Sequence, residues 1–249
     1  MNATSIRVAT LNVRNRSDRW RERSGLLVEQ LLALQPDVIG LQEARRPLNQ
    51  AAWLQRRVNA RQPGYRMVTA WKSGPRRWWE GLAVLTRLPI VAHDRLPLGA
   101  GRVAQHVRLE LPNGGVLDFY NTHLAHGADR AQLRAEQAQR ILDWLEGWPQ
   151  HAQVVAGDFN ARPDSDAVRL LTRRLQSAHA LHHGAEPERT VPTPLREHGR
   201  AAQVLDYLFV NERVTIRNAW VAFSEPAAHD ARLTASDHYG VAADIDVTP

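Results

Sequence analysis

The spacing of apolar and polar positions along this chain changes period several times, and those changes mark out its elements. Apolar runs of strand length stand at 6–13 (IRVATLNV), 37–43 (DVIGLQE) and 152–160 (AQVVAGDFN). A denser series fills the middle, at 65–71, 80–87, 90–98, 102–111 and 116–124, with PNGG at 112–115 as a hairpin turn. Three further runs close the chain, at 203–210, 214–223 and 237–247. Between these runs the period lengthens to that of a helix. SGLLVEQLLALQ (24–35) starts at Ser24, an N-cap residue type, and stops before Pro36. Residues 47–60 open with Pro47 at a helix-start position, 128–147 end at Gly147 and Pro149, and 165–175 form a short helix. Residues 179–203, rich in His, Pro and Gly, read as a loop.

Strands crowded together and mixed with helices predict an α/β (α+β) fold in which two mixed β-sheets pack face to face with helices outside. A purely parallel sheet fits less well, because several strands are joined by turns too short for a crossover. The 249 residues, 43% of them hydrophobic, suffice for one domain over 1–249.

Many of the strands share one irregularity: a clean apolar run stops at an acid, an amide or a histidine. Asn12 follows VATL, Glu43 follows VIGLQ, Asn121 and His123 follow VLDFY, and Asp158 and Asn160 follow VVAG; Asp206 lies within VLDYLFV, and Asp237 and His238 open the last run. A buried polar group without a partner costs about 1–3 kcal/mol, so repetition in strand after strand implies a site built at one end of the sheets. Carboxylates and amides are hard oxygen donors suited to Mg²⁺ or Mn²⁺. Histidines beside carboxylates suggest dyads that handle protons. No HExxH spacing points to zinc.

Charge and composition narrow this picture. The net charge is +6, and of 32 basic residues only Lys72 is a lysine. Arginine forks match phosphate oxygens, which favours a phosphate-rich partner; arginine-biased codon use with a solvated surface gives the same count. The chain has no cysteine, which excludes disulfides and thiolate chemistry. No apolar run approaches the roughly 18–20 residues that span a bilayer, and the first residues read as a strand, not a signal peptide. The expectation is a soluble, cytoplasmic monomer.

In order, TLNV, LQE, NTHL, GDFNA, LDYLFV and SDHYGV resemble the endonuclease/exonuclease/phosphatase superfamily, the DNase I-like fold. The resemblance runs from Asn12 to His238, and GDFNA with SDH is its specific part. It implies a four-layer α/β/β/α sandwich and Mg²⁺-dependent phosphoester hydrolysis, with Mn²⁺ or Ca²⁺ as alternatives. It implies Glu43 as the principal metal carboxylate, with Asn12 and Asp237 beside it. Asp158 and Asn160 would hold the attacking water and a phosphate oxygen, with Asp158 also reaching a metal. Asp206 would orient His238. His123 would lean on Glu80, within hydrogen-bond reach, as the second histidine does in nuclease-type and sphingomyelinase-type members.

His123 argues against the abasic-site endonucleases, which lack a histidine there. The Trp-x-Asp-Arg signature of inositol polyphosphate 5-phosphatases is missing, and LDYLFV stands in its place. That leaves a nuclease, a sphingomyelinase or phospholipase C-like enzyme, a small-molecule phosphatase, or an inactive phosphate-binding scaffold. The expected substrate contacts are Asn121, Asn160, Arg14, Trp78 and Trp79. The basic stretch RNRSDRWRER (14–23) would form a rim for nucleic acid or anionic lipid. The histidines of the 179–203 loop (His179, His182, His183 and His198) fit a secondary metal site or a plain surface loop.

Overall fold

The computed structural model describes residues 3–46, 49–72, 74, 79–196, 199 and 201–248. The first sheet is built from β1 (Thr4–Asn12), β2 (Val38–Arg45), β3 (Arg66–Trp71), β4 (Glu80–Thr86), β11 (Val214–Ala222) and β12 (Gly240–Val247). Their order is β11-β12-β1-β2-β4-β3. The second holds β5 (Ile90–Gly99), β6 (Arg102–Glu110), β7 (Val116–His123), β8 (Ala152–Asp158), β9 (Gln176–Ser177) and β10 (Asp206–Val210), in the order β5-β6-β7-β8-β10-β9.

Each sheet has one parallel pair at its centre, β1 with β2 and β7 with β8, and its other pairs are antiparallel. A parallel pair needs a long crossover, and two amphipathic helices supply it: α1 (Trp20–Leu34) and α3 (Ala131–Leu145). Side chains alternate across each strand, so one face packs inward and the other under helices. Val8, Val84, Val241 and Ile245 of one sheet meet Val107, Phe119, Val154 and Leu208 of the other in the central layer. Ala9, Leu11, Ile39 and Leu85 face Leu27, Leu31 and Leu54 on the outer side; Tyr120, Val155 and Phe209 face Ile141, Leu145 and Leu171. This is the four-layer sandwich that the motif resemblance implies.

Several boundaries differ from the sequence pattern. Helix α1 begins a turn before Ser24, because Trp20 packs edge-on against Trp53 at 5.4 Å and Arg23 is fully buried. The last four of the ten residues in the basic 14–23 stretch are therefore helix. Helix α2 (Gln50–Asn59) is capped by Asn49, whose Oδ1 accepts the Ala52 N–H at 3.2 Å; Pro47 lies outside the described residues. Helix α4 is Asp166–Leu171. Helix α5 (Ala178–His183) takes the first part of the expected 179–203 loop. The last strand starts at Gly240, which leaves Asp237 and His238 on the loop before it. No helix among the described residues is long and apolar enough to cross a membrane.

Candidate active site

The strand register alone brings the polar residues together. Asn12, Glu43, His123 and Asp158 stand at or near the carboxyl ends of the four parallel strands, where open α/β sheets bind ligands. The antiparallel neighbours start at the same end. Asp206 pairs with Asp158, and Glu80 pairs with Arg45. A β-bulge between Leu41 and Ala44 breaks the β2–β4 ladder, and Glu43 within it has φ 56°. That left-handed backbone costs about 1–3 kcal/mol in a residue with a Cβ. It turns Glu43 out of the strand toward the cavity.

Asp158 is the hub. Its Oδ2 accepts from Asn12 Nδ2 at 2.9 Å and lies 3.4 Å from His123 Nε2 and 3.9 Å from His238 Nε2. Its Oδ1 accepts the Asn160 N–H at 2.9 Å, and Asn160 holds φ 47° to make that turn. Gly157 at φ 154° lets β8 approach β7, since a Cβ there would sit 2.1 Å from the Thr122 carbonyl oxygen. The Asp206 carboxylate takes His238 Nδ1 at 2.9 and 3.2 Å, which leaves Nε2 facing Asp158. Burial pulls the His238 pKa down, but Asp206 and Asp158 outweigh it and hold it at about 10. His123 goes the other way: burial and then the positive charges of Arg102 and Lys72 push it well below the ordinary value.

Two observations bear on a metal. Asp237 is buried, and its Oδ1 has no hydrogen-bond partner among the described residues. Burial, and then the Glu80 charge, raise the Glu43 carboxyl above its usual range. An orphaned carboxylate oxygen beside a crowded acid fits a hard divalent cation held by Glu43 and Asp237, with Asp158 adjacent. Asp158, Asp206 and His238 also place ligand atoms within 4.8 Å of one another. There the His238 Nδ1–Asp206 hydrogen bond already occupies one ring nitrogen, so a proton-handling dyad describes that group better.

The family description "Endonuclease/Exonuclease/phosphatase family" matches residues 9–238. The chain belongs to this family. Nocturnin of Xenopus laevis is 28% identical over 229 residues, which cover 81% of this chain and 57% of that protein. The chain thus spans under two thirds of the length of that curated relative. Two solved structures share the fold: the human nocturnin catalytic domain with bound sulfate (TM-score 0.77, 23% identity, 98% of this chain and 95% of that one) and D. rerio TDP2 complexed with single-strand DNA product (0.81, 17%, 97% and 99%).

Two of the expected placements differ in this family member, those of Glu80 and Asn121. Glu80 pairs with Lys72, not with His123, and His123 faces Asp158 instead. The single lysine of the chain, at the end of β3, intercepts the carboxylate before it reaches the imidazole. Asn121 does not line the cavity. It is fully buried between the sheets, where its Nδ2 donates to the Leu41 and Ala83 carbonyls at 3.2 and 3.0 Å and its Oδ1 accepts from Gln42 at 2.7 Å. Both ends of the Asn12 amide are already engaged. Its Oδ1 accepts the Arg14 N–H at 2.9 Å, and its Nδ2 bridges Glu43 (3.2 Å) and Asp158. Trp78 lies outside the described residues. Trp79 is 60% exposed, with Arg45 5.7 Å over its ring, and is not among the described residues that line the cavity.

That cavity holds about 1160 Å³ and is ringed by cations: Arg14, Lys72, Arg102, Arg134, Arg162 and Arg196. Arg14, the one expected from sequence, reaches Asp18 at 2.9 Å and Asp237 at 3.4 Å. Lys72 could have been flagged as the sole lysine; the others carry no signal among so many arginines. Arg23 was also hidden. Its guanidinium donates to six backbone carbonyls, those of Val13, Arg14, Asn15, Ser17, Asp18 and Ala235, at 2.8–3.3 Å. Arg14, Asn15 and Asp18 have positive φ. Through these bonds Arg23 fixes the loop that carries Arg14 and Asn15 and ties it to the segment before Asp237. Asn15 in turn donates to Glu43 Oε2 at 3.2 Å. The described histidines of α5 do not form a metal-sized group with other ligands.

Proposed function

We propose that this chain, acting as one catalytic unit over 1–249, is a divalent-cation-dependent phosphodiesterase of nuclease type. The observation that carries this reading is the convergence on Asp158: two imidazole Nε2 atoms and an amide donor meet one buried carboxylate at the carboxyl ends of the parallel strands. Mg²⁺ is the proposed ion, and Glu43 and Asp237 would hold it. When bound, such a cation supplies Lewis-acid stabilisation of the phosphate charge. The rest is done by side chains. Asp158 orients the attacking water and accepts its proton at a carboxylate oxygen. The Asp206–His238 pair presents Nε2 to the phosphate oxygens, with Nδ1 fixed by Asp206. His123 Nε2 lies on the other side of Asp158 as a second proton-handling position. Asn160, Arg14 and Arg196 line the cavity where phosphate oxygens would sit.

A cavity of about 1160 Å³ ringed by cations suits a large or polymeric polyanion better than a small phosphomonoester. The test is hydrolysis of bis-(p-nitrophenyl) phosphate with Mg²⁺. Turnover that EDTA abolishes, and that falls at least about 100-fold in Glu43→Gln and His238→Ala, is the expected result. Full activity in either variant would overturn the reading.

A further inference from the structure

A second cleft is lined by Arg16, Arg19, Trp20, Arg21, Glu22 and Arg45 and holds about 450 Å³. The two spaces draw lining residues from the same two segments. Asn15 and Glu43 line the cavity, while Arg16 and Arg45, one and two residues on, line the cleft. Four guanidinium groups face one carboxylate. Arg19 is already committed, to Glu22 and to Asp230 at 2.7 Å. Arg16, Arg21 and Arg45 form no ion pair with a described residue. Arg45 Nε is buried without a hydrogen-bond partner among the described residues, and its guanidinium sits 5.7 Å over the ring of the exposed Trp79. The loop that supplies Arg14, Asn15 and Arg16 is tied down by Arg23, which donates to the carbonyls of Val13, Arg14, Asn15, Ser17 and Asp18.

Unpaired guanidinium groups bind phosphodiester oxygens, and an exposed indole beside them accepts an unstacked base. We propose that this cleft is a track for single-stranded nucleic acid leaving the catalytic cavity, with backbone phosphates on Arg16, Arg21 and Arg45 and a base on Trp79. The proposal rests on the phosphodiesterase reading above and names its substrate class. A membrane surface fits less well. The large exposed apolar side chains among the described residues are Trp79, Val91, Trp148 and Leu181, on four separate segments, so no apolar patch accompanies the arginines. A duplex keeps its bases stacked on each other and has none to place on Trp79.

The test compares wild type with the Arg16→Gln/Arg21→Gln/Arg45→Gln triple variant, and with the Arg16→Gln/Arg21→Gln pair in case the half-buried Arg45 is needed for folding. Binding of a labelled oligothymidylate of about twenty nucleotides is followed by fluorescence anisotropy in EDTA, so that the readout does not depend on turnover. The triple variant should bind at least about tenfold more weakly, and the slope of log affinity against log salt should drop by about 2, since each single-strand phosphate contact contributes roughly 0.7. Trp79→Ala should weaken binding with the salt slope unchanged. Hydrolysis of bis-(p-nitrophenyl) phosphate should stay at the wild-type level in every variant. Wild-type affinity and salt slope in both arginine variants would overturn the proposal, as would a wild type that hydrolyses the chromogenic diester yet does not bind the oligonucleotide. Loss of binding to phosphatidylserine vesicles, with oligonucleotide binding intact, would assign the cleft to lipid and refute it. A wild type that binds the oligonucleotide but hydrolyses no diester would instead refute the catalytic reading alone.

Discussion

Replacing Arg23 tests whether one buried cation organises the rim of the site. Its guanidinium is fully buried, lies 5.0 Å over the Trp20 ring, and donates to six backbone carbonyls. Burial lowers its pKa to about 10, so it stays charged at neutral pH. Methionine fills much of the same volume but donates nothing. Hydrogen bonds to a charged group contribute about 1.5–3 kcal/mol each, but loop carbonyls near the surface regain water when released. Removing one partner of a buried charged network typically costs about 3–5 kcal/mol, and that is the loss expected for Arg23→Met. For a chain of this size it corresponds to a fall in melting temperature of roughly 6–20 °C. Lysine keeps the charge with three donors, so at most half of the carbonyls remain served. Arg23→Lys should therefore lie between wild type and Arg23→Met in stability. The functional consequence is separable from unfolding. At temperatures where both variants are folded, KM for a diester substrate should rise, because Arg14 and Asn15 lose their fixed positions. Guanidinium at millimolar concentration should partly restore Arg23→Ala. The readouts are thermal melts and steady-state kinetics. A methionine variant that melts within a degree or two of wild type and keeps its KM would refute the reasoning.

Glu43→Gln should abolish most diester hydrolysis while leaving the metal-free protein as stable as wild type or more so, because it removes a buried charge crowded by Glu80; a melt in EDTA and a titration with Mg²⁺, which should no longer raise the melting temperature, check both halves. Asn121→Ala should lower stability by about 1–3 kcal/mol, by removing the donor to the Leu41 and Ala83 carbonyls and one acceptor of Gln42 Nε2, which keeps Thr10 Oγ1 and the Gly40 carbonyl, with little change in KM; a raised KM with unchanged stability would restore it as a substrate contact. Asp118 accepts from His106, Arg108 and His151 at 2.6–2.8 Å on the outer face of the second sheet; burial pushes its pKa up, but these partners outweigh it and bring it to about 2. A carboxyl depressed in the folded state contributes stability above its unfolded value, near 4, and loses it as pH falls toward 2, so Asp118→Asn should flatten the acid limb of the stability profile and lower stability at neutral pH without altering kcat.

The order of strands and helices, and nearly every catalytic candidate, were legible because burial period and polar interruption are local properties. Asn12, Glu43, His123, Asp158, Asp206, Asp237 and His238 each end or open an apolar run, and register then carries them to one end of the sandwich. Helix starts were less legible. Ser24 is a cap by residue type, but Trp20 and Arg23 extend α1 backward because they find partners in Trp53 and in distant carbonyls. Asn121 shows the same limit at the site. Its position at a strand end matches a functional residue, and only the second sheet, with Gly40 so close that a Cβ would meet the Asn121 side chain at 2.9 Å, turns it into an inter-sheet tie.

What the sequence determined by itself is the set of chemical types and the layers that hold them, since alternation of apolar and polar residues decides which face of each strand is buried. What tertiary structure decided is the pairing. Glu80 goes to Lys72 and not to His123, Arg23 gathers carbonyls from both Val13 and Ala235, and the basic stretch divides between a loop and the first turn of α1 to form a cleft. Charged side chains are long and their partners lie far apart in the chain. Which acid meets which base therefore depends on distances of a few ångströms that exist only after the sheets have packed.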